Sequence, residues 1–167
     1  MAESETSRAV CDLFNDLISG SSSLGSWVLN REDPGLLKSL DVLTSEQASN
    51  VPASGGSSIA AHVEHLRYGF HIFNRWSAGD EQALADADFS AAWRRNTVSQ
   101  EEWAALREDL AREALAWRKP LEDSKNSGPG IDAKIACVVH LAYHLGAIRQ
   151  IDRSLRGPAA REKSEPD

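Results

Sequence analysis

Four stretches of this chain repeat their apolar residues at intervals of three or four, and no stretch convincingly alternates apolar with polar, so helices alone are expected to build the core. From Thr6 to Ser19, Val10, Leu13, Phe14, Leu17 and Ile18 share one face, with Asp12, Asn15 and Asp16 between them. In the second stretch Ser57-Ser58 supplies a cap, and Ile59, Val63, Leu66, Phe70 and Phe73 follow at spacings of four and three. A stripe one residue round carries His62, His65, Gly69, Ile72 and Trp76. The third opens on Ser99-Gln-Glu-Glu102, a capping box, and continues through Trp103, Leu106, Leu110, Ala114, Trp117 and Leu121, with Pro120 in or after its last turn. The fourth runs from Ile131 to Arg156, between Gly128-Pro129-Gly130 and Gly157-Pro158. The expected fold is an all-α four-helix bundle.

Residues 26–56 hold Trp27, Leu36, Leu37, Leu40 and Leu43, but Pro34, Gly35, Pro52, Gly55 and Gly56 interrupt them. Short helices from Pro34 to Leu40 and from Thr44 to Ala48 fit this pattern. A connection this long crosses from one end of a bundle to the other, which favours an up-down-down-up order. Around Phe89 and Trp93 a short helix or irregular loop is expected. Residues 1–156 read as a single domain and 157–167 as a flexible polar tail.

With 167 residues, 41% of them hydrophobic, the chain is long enough to bury a core of its own. Its formal charge of -7 argues against nucleic acid and against an acidic membrane surface, both of which attract basic proteins. Neither a signal peptide nor a membrane span is expected, so the sequence reads as cytoplasmic. Cys11 and Cys137 form neither a disulfide framework nor a metal knuckle, and are simplest as small core residues.

In the fourth stretch, His140-Leu-Ala-Tyr-His144 sets two imidazoles one helical turn apart, so both rings can reach one ion. Cys137, His140, Leu141, His144, Ile148, Ile151 and Leu155 are expected to face inward; Lys134, Arg149, Asp152, Arg153 and Arg156 are expected to face away. Taken alone, such a pair is more simply read as buried neutral histidines than as a metal site. A third ring changes the balance, because a bundle lets His62 or His65 meet the pair from another helix. Three nitrogens leave a coordination position open, which is the catalytic rather than the structural pattern for zinc.

Ser58-Ile-Ala-Ala-His-Val-Glu-His65-Leu and His140-Leu-Ala-Tyr-His144-Leu-Gly146-Ala-Ile-Arg149-Gln together resemble the DinB/YfiT-like superfamily, which includes bacillithiol- and mycothiol-dependent S-transferases. The resemblance, extending over about residues 6–156, sets a ligand histidine about seven positions after the helix-start serine, which selects His65 over His62. It makes His140 and His144 the other two ligands and leaves His62 and Cys137 as possible neighbours of the site. It also implies a divalent ion (zinc, nickel or iron), a homodimer, and a small-molecule substrate, with a low-molecular-weight thiol as one reactant. Ala147 departs from the glutamine that many members carry there.

The expected function is thus a metal-dependent, thiol-using transferase acting on a small electrophile, with hydrolysis as a variant. A non-catalytic metal- or ligand-binding bundle is the alternative. That alternative requires a further protein ligand, from Cys137, His62 or an acid of the first helix. Gly146 is expected to serve close helix packing, His71 to face the surface or a loop, Arg149 to be solvated, and Glu64 to lie outside the histidine stripe. All five tryptophans are expected in the core.

Overall fold

A computed structural model describes residues 2–21, 26–122 and 128–159. All seven α-helices among them, with no strand, come from the periodic stretches and their connections: α1 (Ala2–Ser19), α2 (Gly35–Asp41), α3 (Ser45–Ser49), α4 (Ile59–Ser77), α5 (Phe89–Ala92), α6 (Gln100–Glu122) and α7 (Ile131–Ile151). The protein is all-α. Most of the expected tail, residues 160–167, lies outside the described residues.

Local chemistry sets the boundaries. The hydroxyl of Ser58 accepts from the Ala61 amide at 3.3 Å and starts α4. Thr44 with Gln47, and Ser99 with Glu102, close reciprocal capping boxes at α3 and α6. Pro120 sits in the final turn of α6, as expected. The fourth helix ends earlier than its apolar pattern, at Ile151, and a 3-10 turn over Arg153–Leu155 carries the pattern on.

The four long helices pack in a closed series: α1 against α6 and α7, and α4 against α6 and α7. Phe14 of α1 and Phe70 of α4 meet edge-on across the middle, their ring centroids 5.6 Å apart. The crossing segment is tied down at both ends. Trp103 Nε1 donates to the Leu43 carbonyl at 3.0 Å, and the buried Asp33 carboxylate accepts from Arg149 at 2.6 Å and from the Gly35 amide at 2.9 Å.

The buried stripe of α7 is Lys134, Cys137, Val138, Leu141, His144, Leu145 and Ile148. Two expectations are corrected here: Lys134 is buried rather than outward, since it stands one turn before Cys137 on the same face, and His140 lies on the exposed edge of the stripe. Ile131, Ile135, Val139 and Tyr143 on the opposite side are all exposed, so α7 is apolar nearly all round. It is the one helix among the described residues long and apolar enough to cross a membrane, which the sequence reading did not anticipate. Its inner stripe packs on α1 and α4, and Asp132, Lys134 and Arg149 stand near its ends.

Candidate metal centre

The cap at Ser58 fixes the start of α4, and with it the angles at which His62 and His65 leave the helix. Both are buried, each 8% exposed, while His144 of α7 is 1% exposed. Where α4 meets α7, His65 Nε2 lies 3.0 Å from His140 Nε2, which lies 3.1 Å from His144 Nε2. The ligand atoms of His65, His140 and His144 all fall within 4.8 Å of one another. The register that selects His65 therefore brings together the expected trio.

Three nitrogens held at 2.0–2.1 Å from a tetrahedral ion lie roughly 3.3 Å apart, so the His65–His140 and His140–His144 spacings of 3.0 and 3.1 Å need only a few tenths of an ångström of expansion. A neutral imidazole carries one N–H and one lone pair, so each of the three rings can turn a lone pair toward an ion. Burial, reinforced by the neighbouring rings, lowers His65 to about 4 and His144 to about 3, and burial also lowers His140 and His62. The rings are neutral near pH 7, the form that coordinates a metal, and the donor set fits a divalent cation.

His62 does not join the trio. Its Nδ1 lies 2.8 Å from His144 Nδ1, on the far side of that ring from the converging Nε2 atoms. The Nδ1 of His65, by contrast, is buried with no hydrogen-bond partner among the described residues. Its ring is held by stacking: Trp93 lies against it at 4.5 Å between centroids and also touches His62 and His144 at 5.2 and 5.7 Å. Trp93 thus covers the site, a role the sequence reading missed by assigning it to the core. A signal was present, since Asp88 caps a helical turn and sets Phe89 and Trp93 four residues apart.

Cys137 contributes no donor to the trio. Burial pushes its thiol up to about 12, and it forms part of the wall of a cavity that also includes His65 and His140. Among the described residues no fourth histidine, cysteine or carboxylate completes the group. Glu64 is occupied by Arg67 at 2.7 Å and Arg95 at 3.3 Å, and the half-exposed His71 faces Glu113 at 3.2 Å.

Three further expectations are corrected. Arg149 is not solvated but paired with Asp33, its partner in a distant loop. Gly146 serves no close packing, as a Cβ there would meet nothing within 4 Å. Trp27 is 93% exposed, since it falls in a turn whose neighbours Val28 and Leu29 donate their amides to Asp16 while its own ring points out.

Comparison with known families completes the description. A family model described as the DinB superfamily matches residues 29–148, a narrower span than residues 6–156 but one that contains all three converging histidines. No curated protein and no solved structure gives a match.

Proposed function

Because the chain belongs to the DinB superfamily and brings three imidazole nitrogens to one point, we propose that it is a divalent-metal-dependent enzyme, most simply a thiol-dependent S-transferase acting on a small electrophile. The observation that carries this reading is the incomplete donor set: three nitrogens with no fourth protein ligand among the described residues, beside a cavity with room for a small molecule. A closed structural site would use its fourth position on the protein.

His65, His140 and His144 would hold the ion. When bound, it supplies the positive charge that lowers the pKa of a thiol or water beside it. His62 fixes the orientation of His144, and Trp93 keeps water from one side of the rings. Exposed His140 marks the side from which reactants arrive. In the transferase reading, sulfur forms a bond to an electrophilic carbon, whose leaving group departs with the bonding pair. With water as the nucleophile, the same arrangement is hydrolytic.

The reading extends to architecture and partners. The closed packing of α1, α4, α6 and α7 supports a four-helix bundle, and the long link between α1 and α4 favours an up-down-down-up order. The outward apolar residues of α7 support a homodimer, and the charge of -7 supports a protein without nucleic-acid partners.

The deciding experiment is metal analysis of protein purified without a histidine tag, beside His65→Ala and the double variant His140→Ala, His144→Ala. One equivalent of metal in the parent and none in either variant is expected. Unchanged metal in the variants would refute the ligand assignment. A conjugation assay with cellular thiols and an electrophilic halide then separates transfer from hydrolysis, and no turnover with any thiol or with water alone leaves the non-catalytic bundle.

A further inference from the structure

Beside the histidines a cavity of about 340 Å³ runs between α4 and α7. Its α4 wall extends from His65 to Phe73 and its α7 wall from Ala136 to His140, so the two histidines stand at one end. Phe70, Phe73 and Phe89 supply aromatic surface, and Cys137 adds a thiol that burial keeps neutral. Apart from the two neutral histidines, no ionisable side chain that could pair with a charged ligand lines it among the described residues.

From this geometry we infer that the cavity seats an uncharged, ring-sized apolar group of the electrophilic substrate, with its reactive carbon at the histidine end. The inference rests on the proposed role of the three histidines as the reaction centre. Size and charge carry it further. A cavity of roughly 150 Å³ holds benzene, so this one has room for a ring together with its substituents. Away from the histidine end, a carboxylate or ammonium would lose its hydration without finding a partner, which is costly in an apolar wall. The charged parts of a thiol carrier are therefore left outside, toward exposed His140, and the apolar reactant is sorted inside.

Gly69 makes the cavity testable. It lies in the α4 wall, one turn beyond His65, and a Cβ built there meets nothing within 4 Å. A larger side chain at this position would project into the cavity without striking the backbone, and leucine favours the helix more than glycine does. Gly69→Leu is thus expected to fill the space while the fold and the metal ligands remain.

The experiment measures binding of benzyl alcohol to the full-length protein by titration calorimetry and saturation-transfer NMR, with benzoate and 1-decanol as counterparts. Saturable binding of benzyl alcohol is expected in the parent and in the metal-free double variant His140→Ala, His144→Ala, with benzoate weaker by about tenfold or more in the double variant. Gly69→Leu should lose the binding and keep its metal. Intermolecular contacts from the probe ring to Phe70 and Phe89 should appear in the parent, which tests the site even where Gly69→Leu fails to fold. Absent binding, equal binding of benzoate in the double variant, undiminished binding in folded Gly69→Leu, or a clear preference for decanol would each overturn the inference. Loss of the metal assignment would show separately, as metal content unaffected by the histidine changes.

Discussion

The Nδ1 atom of His62 lies 2.8 Å from the Nδ1 atom of His144, and this contact determines which nitrogen of His144 is free to coordinate. When His144 Nδ1–H donates to His62 Nδ1, the His144 Nε2 lone pair faces His140 and His65. Removing the partner in His62→Ala should weaken metal affinity by about 10–100-fold while leaving one equivalent bound at saturation. Competition against a calibrated chelator measures this, and an unchanged affinity would remove His62 from the site.

The Asp33–Arg149 pair is a structural counterpart, with side chains 3% and 14% exposed. Asp33→Ala leaves the guanidinium without its carboxylate and the Gly35 amide without its acceptor, and should destabilise the fold by roughly 3–5 kcal/mol. Urea denaturation reads the loss. A change below about 1 kcal/mol would mean that the pair does not anchor the crossing segment to α7.

Two glycines should respond in opposite directions. Gly35 has a φ of 71°, and a Cβ there would run into the Gly20 backbone, so Gly35→Ala is expected to cost about 1–3 kcal/mol. Gly146 is helical, exposed and open, so Gly146→Ala should stabilise by about 0.5–1 kcal/mol. Thermal melts of the two variants that shift the same way would contradict the backbone assignments.

Protonation of the metal-free protein offers a further check. Burial first, and neighbouring rings second, hold His65 near about 4 and His144 near about 3, against an ordinary value of 6.5. Below about pH 6.5 the unfolded chain binds more protons than the folded one, so the stability tied to these rings is complete above that pH and declines as pH falls toward 4. Between pH 6.5 and 5, the chelator-treated parent should lose denaturation midpoint more steeply than the double variant His140→Ala, His144→Ala. Parallel slopes would show that the rings are not buried in the neutral form.

The outer face of α7 exposes 63% of Val139 and 46% of Ile135, which are one turn apart. If this face joins two copies, Ile135→Glu with Val139→Glu should convert a dimer to a monomer in sedimentation measurements. A parent that sediments as a monomer at micromolar concentration would discount the homodimer.

Where helical spacing fixes an angle, the sequence was a good guide. Ser58 could be placed as a cap, and His140 and His144 one turn apart on α7, because a cap and a 3.6-residue period leave little freedom, whereas the choice of His65 over His62 came from the family resemblance. Arg149 and Lys134 were misread because a charge on a helix ordinarily meets water. The Asp33 that makes Arg149 an exception lies 116 positions away, with no local trace. Trp93 was missed for a different reason: residues 80–98 have no sustained period, the Phe89–Trp93 spacing spans a single turn, and tertiary packing turns that ring onto His65. The inward rotation of α7 was off by enough to put His140 inside rather than at the rim, since an apolar outer face blurs the boundary of the stripe.

Two of the donors keep their one-turn spacing wherever α7 is helical, but the third arrives only with α4 seated in the right register. A slip of one residue would swing His65 by about 100° and leave the ion with two nitrogens. An ion held by all three would therefore act as proofreading, stabilising only the correctly docked pair of helices and leaving mispacked chains unloaded.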